Sequence, residues 1–145
     1  MGDGGGTVWI IEDHPPTARI TASAFEEFTD SITTTVLGDG GECLAALEDG
    51  GGSLTWPDLM LLDLDLPGAN GFDVLEARLS DPEMRRIPTI VLSGATDQTD
   101  IDRCYELGAT AFLRKPEDFE GYLSIVELVV SFWLSTVVLP ESGTN

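Results

Sequence analysis

Lysine is almost missing from this sequence: six arginines (Arg19, Arg78, Arg85, Arg86, Arg103 and Arg114) leave Lys115 as the single lysine, against 26 acidic residues. The net charge of -19 at pH 7 repels a phosphate backbone and an anionic leaflet alike, so neither nucleic acid nor a membrane surface is an expected partner. Cations are the natural ligands. Cysteine is scarce too. Cys43 and Cys104 stand far apart with no CxxC or Cys/His spacing, which argues against a zinc site or a disulfide framework. The one histidine, His14, neighbours Asp13 but precedes two prolines at a helix start, a poor place for a ligand or an acid/base group. Long apolar runs are absent as well: the stretch from Leu128 to Leu139 is interrupted by Ser131, Ser135 and Thr136 and is too short to span a bilayer.

What is present suffices for one compact domain. A chain of 145 residues that is 42% hydrophobic can bury a real core, roughly 70% of its unfolded surface at this size. Residues 1–6 are Gly/Asp-rich without a basic or apolar leader pattern and are expected as a disordered cytoplasmic tail, with a second short tail over 140–145. The domain is expected over 7–139. An acidic, lysine-poor surface resembles that of proteins from extreme halophiles, where dense salt screens carboxylate repulsion; an acidic mesophilic domain is the alternative.

Short β-branched or Leu-rich runs alternate with helical patterns, the signature of βα units on a parallel sheet. Val8-Trp9-Ile10-Ile11 reads as a buried strand stopping at Glu12-Asp13, and Pro15-Pro16 opens a helix with Ile20, Ala24, Phe25 and Phe28 on one face. Ile32 to Leu37 is a second strand, followed by a short helix capped by Asp39 and a loose Gly-rich loop before Pro57. Leu59-Met60-Leu61-Leu62, apolar throughout as a central parallel strand should be, ends at Asp63. Asn70 caps the next helix, bearing Phe72, Leu75 and Leu79. A fourth strand, Thr89 to Leu92, ends at Ser93, and a helix through Tyr105 stops at Gly108. The fifth strand, Ala111 to Arg114, ends at Lys115-Pro116, and a long last helix begins near Asp118-Phe119.

Four of these strands therefore finish on a functional polar group: Glu12 with Asp13, Asp63, Ser93 and Lys115. In an open parallel sheet the carboxyl ends of the strands line one crevice, so these groups converge. Three carboxylates in one pocket repel unless a cation sits among them, and a hard divalent ion that prefers oxygen, Mg²⁺, answers that need. An Asp63 oxygen can then act as nucleophile toward phosphorus, with Lys115 and Ser93 touching the phosphoryl oxygens.

The acidic pair Glu12-Asp13, the stretch Leu-Leu-Asp63-Leu-Asp65-Leu-Pro67-Gly68-x-x-Gly71, Val-Leu-Ser93-Gly94 and Gly108-Ala109…Phe112…Lys115-Pro116, in this order and spacing, resemble a response-regulator receiver domain. The resemblance runs from about Thr7 to Leu139. It implies a five-stranded doubly wound α/β fold of order 2-1-3-4-5 with helices on both faces. It also implies that Asp63 accepts phosphate from a histidine kinase, with no turnover beyond autocatalysed phosphotransfer and autodephosphorylation. Asp13 and Asp63 would ligate Mg²⁺ directly and Glu12 through water. The backbone carbonyl of Asp65 would be a further ligand, and its unusual acidic side chain bears on autodephosphorylation in either direction. Ser93 and Phe112 match the switch pair, Phe112 turning inward when Ser93 moves toward the phosphoryl group. Cys104-Tyr105-Glu106-Leu107-Gly108, Lys115-Pro116-x-Asp118-Phe119 and Phe132-Trp133-Leu134 are similar to phytochrome-associated single-domain regulators, which implies a light-sensing kinase as partner.

The last helix carries one narrow polar stripe, Glu120, Ser124, Glu127, Ser131 and Ser135, and more apolar surface than one side of a sheet covers. A homodimer through this helix is expected. Two other functions stay open at this point. Asp63-Leu-Asp65 resembles the DxD pair of haloacid-dehalogenase-like phosphatases, although an acidic pair on an earlier strand breaks that family's order. A non-phosphorylated interaction module is the other, although such proteins usually lack one of the acid, hydroxyl or lysine.

Overall fold

The computed structural model describes residues 6–28, 31–49, 56–64, 66, 70–94 and 97–134. In chain order these form β1 (Gly6–Ile11), α1 (Pro15–Phe28), β2 (Ile32–Leu37), α2 (Gly40–Glu48), β3 (Leu59–Asp63), α3 (Gly71–Leu79), a 3-10 turn (Met84–Arg86), β4 (Thr89–Ser93), α4 (Gln98–Glu106), β5 (Ala111–Arg114) and α5 (Phe119–Leu128). All strand pairs are parallel and the sheet order is β2-β1-β3-β4-β5, the order expected.

Alternation along the strands builds two cores. Trp9, Ile11, Met60, Leu62 and Val91 face α2, α3 and α4, whereas Val8, Ile10, Leu59, Leu61 and Ile90 face α1 and α5. Because both faces are covered, the inner strands read as unbroken apolar runs rather than as alternating ones. The helix caps follow the local chemistry. Asp39, Asn70 and Asp118 each accept a backbone N–H three residues on, from Glu42, Asp73 and Gly121, and so satisfy donors that the first helical turn leaves over.

Some boundaries differ from expectation. Gly6 belongs to β1 and not to the tail: it pairs with Ile32 and its N–H donates to the Ser31 carbonyl at 3.2 Å, because the six-residue β2 offers a partner one position further down. Phe28 and Leu79, placed on buried helix faces by periodicity, are 39% and 38% exposed, since each lies in the last turn of its helix, at the edge of the sheet. The last helix is regular to Leu128 and then widens into a π-type turn over Val129–Leu134. Its polar stripe is exposed at Glu120, Ser124, Glu127 and Ser131, with Tyr122, Val126 and Val129 buried opposite. Both tails apart from Gly6, the glycine loop 50–53 and the helix beyond 134 lie outside the described residues. No helix among the described residues is long and apolar enough to cross a membrane.

Candidate functional site

β3 is the middle strand, and the chain must leave it abruptly to place Asp63 at the rim. The turn back into α3 brings Gly71 so close that a Cβ there would lie 2.7 Å from the Leu64 Cα and 3.0 Å from the Asp63 carbonyl oxygen. Only glycine fits. The Gly71 N–H donates to the Leu64 carbonyl at 3.0 Å, and the Leu64 N–H to Leu92 at 3.1 Å, so the backbone bearing Asp63 is held from both sides. On the neighbouring strand, the Lys115 N–H donates to the Ser93 carbonyl at 2.8 Å, docking the end of β5 onto the end of β4.

Four of the expected groups, Glu12, Asp13, Asp63 and Lys115, come together. Lys115 Nζ lies 3.1 Å from Glu12 Oε1 and 3.1 Å from Asp63 Oδ2. The other Glu12 oxygen accepts the His14 N–H at 3.2 Å. Glu12, Asp13 and Asp63 each offer a carboxylate oxygen, all within 4.8 Å of one another. Glu12 and Asp63 are 6% and 5% exposed and Ser93 is fully buried, whereas Asp13 faces solvent. Asp65 lies outside the described residues. Phe112 is half-buried in the middle of β5, against the core on the α2, α3 and α4 side. The His14 ring takes no part: its Nδ1 is 2.7 Å from the Thr17 hydroxyl at the exposed start of α1.

The electrostatics follow from this crowding. Burial and the neighbouring Asp63 push the Glu12 carboxyl above the usual carboxylate range, and Lys115 and the His14 N–H only partly offset them. Burial pulls the Lys115 ammonium down, but its bonded partners Asp63 and Glu12 outweigh that and hold it above the usual lysine value. Three carboxylates against one ammonium leave a surplus of negative charge, and the donor set is all oxygen. These residues therefore suit a hard divalent cation. Both cysteines are buried and inert, Cys43 pushed up to about 12 and Cys104 to about 11, chiefly by desolvation.

One residue near the site escaped sequence reasoning. Tyr122 belongs by its spacing to the apolar side of the last helix, yet its buried phenol is raised by desolvation and lies close enough to feel the charges of Lys115, Glu12 and Asp63. Gly121 brings it there, because a Cβ at that position would meet the Pro116 ring at 2.6 Å. A tyrosine on the apolar side of the helix, just after a glycine, is the available signal.

A family model of the response regulator receiver domain matches residues 8–127. The response regulator Rcp1 of Synechocystis sp. is 31% identical over 137 residues, which cover 93% of this chain and 93% of that protein. The probable methanogenesis regulatory protein FilR2 of Methanothrix harundinacea is 34% identical over 130 residues, covering 88% of this chain and 83% of its own. Among solved structures, the Mn²⁺-bound form of Rcp1 superimposes with a TM-score of 0.85 at 30% identity, covering 94% of this chain and 99% of that one. The phosphorylated cyanobacterial phytochrome response regulator RcpA superimposes with a TM-score of 0.88 at 32% identity, covering the same shares, 94% and 99%.

Proposed function

The chain belongs to the response regulator receiver domain family, and on that premise we propose that Asp63 is its phosphoacceptor, with Glu12, Asp13 and Asp63 holding a Mg²⁺ ion beside it. Receivers are phosphoacceptor signalling modules of two-component systems, phosphorylated by histidine kinases, and they bind a divalent metal. The observation that carries the assignment to these residues is the cluster of three carboxylate oxygens with Lys115 bridging two of them.

In the proposed reaction an Asp63 oxygen attacks phosphorus, the phosphorus–nitrogen bond of a kinase phosphohistidine breaks, and the histidine leaves with the bonding pair. Mg²⁺, when bound, neutralises the carboxylates and draws charge from the phosphoryl oxygens. Lys115, already 3.1 Å from Asp63, pairs with one phosphoryl oxygen, and the Ser93 hydroxyl donates to another. Phe112 turns inward as Ser93 moves. The backbone carbonyl of Asp65 is the proposed remaining protein ligand of the metal. The family match leaves no support for the phosphatase reading, and the complete set of acid, hydroxyl and lysine disfavours a non-phosphorylated module.

Similarity to RcpA, described as a phytochrome response regulator, supports a light-sensing histidine kinase as partner. The test is intact mass after incubation with Mg²⁺ and acetyl phosphate. A phosphoryl-sized gain that requires Mg²⁺ and disappears in Asp63→Asn is expected. No gain in a folded, Mg²⁺-binding protein overturns the assignment.

Two proposals concern the surroundings. Leu128 is 67% exposed on α5, which supports a homodimer through the last helix. Truncation after Ser131 should halve the mass seen in light scattering, and an unchanged dimer refutes it. Among the described residues both ion pairs belong to Lys115, so the other carboxylates there have no side-chain cation within 4 Å to offset their mutual repulsion. This supports a salt-rich cytoplasm: circular dichroism should show unfolding as KCl falls from molar to millimolar, and indifference to salt refutes it.

A further inference from the structure

β5 is an edge strand of four residues, and its outward backbone donors have no strand to meet. Along a parallel strand the N–H groups alternate sides. The Lys115 N–H points to β4, at the Ser93 carbonyl, so that of Phe112, three residues earlier, points to the open edge. It does not end in solvent: it donates to the Tyr105 hydroxyl at 3.0 Å. Tyr105 stands in the last turn of α4 and is 49% exposed, so burial does not place its ring. The hydrogen bond spans α4 and the middle of β5.

Little else anchors α4. Cys104 is its one buried residue, and the Arg103 guanidinium lies 4.2 Å over the Phe72 ring. A helix with so few buried apolar contacts belongs to the part of a fold that shifts most readily.

We propose that Tyr105 is a positioning residue: its hydroxyl latches α4 to the Phe112 backbone in the resting state and lets go when the phosphorylated site draws Phe112 inward. This rests on the receiver reading above. Lengthening by about 0.5 Å takes the bond out of range, so a small shift of either element breaks it. A bond made only in the resting state holds down the population of the switched one. Removing it raises that population by about fivefold, the factor a typical net hydrogen bond represents.

The test compares the intact protein with Tyr105→Phe, which removes only the oxygen, and Tyr105→Ala, which removes the ring as well. In both variants the Phe112 amide should exchange with solvent about fivefold faster, with Lys115 amide exchange unchanged. Labelling of Asp63 by limiting acetyl phosphate should rise by a similar factor. Unchanged Phe112 exchange in Tyr105→Phe, or an effect confined to Tyr105→Ala, overturns the latch. Faster exchange with unaltered labelling overturns its control of the switch. If no protein is labelled, the receiver reading fails and the regulatory half falls with it, while the exchange arm still decides the tether.

Discussion

Two buried charged regions occupy opposite ends of the sheet and are satisfied in opposite ways. At the carboxyl ends of the strands, Glu12 and Asp63 share Lys115, and with Asp13 they leave negative charge uncompensated. At the other end Arg78, 4% exposed, meets no carboxylate. Its Nε donates to the Ile87 carbonyl at 2.8 Å, Nη1 to Gly108 at 2.9 Å and Nη2 to Arg85 at 3.2 Å. Desolvation lowers the Arg78 pKa, yet each of the three guanidinium nitrogens donates to a backbone carbonyl. The first region carries a surplus of negative charge that suits a cation; the second pairs its charge with backbone carbonyls. Burial of a charge is thus no sign of function: what distinguishes a site is the charge and lone pairs left over after the protein has paired its own groups.

The largest effect that can break this contrast is Arg78→Met. It leaves three loop carbonyls without their donor and joins no new partner, and a loss of about 3 kcal/mol is expected in urea unfolding. A loss under about 1 kcal/mol would show that Arg78 is no structural staple. Asp13→Ala comes next. It should weaken Mg²⁺ binding at least tenfold, or about 1.4 kcal/mol, with the unfolding midpoint unchanged, because the carboxylate faces solvent and holds nothing else in place. Calorimetric titration alongside a melt checks both halves.

The smallest effect is in pH dependence. The Lys115 pKa is raised by folding, so its contribution is intact below the ordinary value of 10.5 and is lost as pH rises through the higher folded value. Wild type minus Lys115→Met should therefore show stability falling only on that alkaline limb. Glu12 is raised as well, so the metal-free wild type should lose stability relative to Glu12→Gln as pH rises from 4.5 through the folded value. A slope of the opposite sign at either end would mean that the pairing geometry is wrong.

The rim was legible in the sequence because each strand ends in a residue that does not belong in an apolar run: Asp63 after Leu59-Met60-Leu61-Leu62 is the plainest case. The hidden residues lack that contrast. Arg78 falls one position before the exposed Leu79 in an amphipathic helix, where an arginine is ordinary. Its burial depends on Gly108, at a φ of 92°, turning a carbonyl toward it from thirty residues away. Tyr105 gives as little sign, since nothing in its helix marks its hydroxyl for the backbone of the strand that follows.

The sequence by itself determined the strand and helix order, the caps at Asp39 and Asn70, and the polar ends of the strands, because hydrophobic period and capping chemistry are local. Only the tertiary structure decided which polar groups close on one another. Lys115 reaches Glu12 and Asp63, separated from it by more than fifty residues, because β1, β3 and β5 end on one rim, and Tyr105 reaches Phe112 because β5 is an edge. The Lys115 pairings depend on distances in space that no short window along the chain contains, and the Tyr105 bond, only seven residues apart in sequence, depends on how α4 packs against β5.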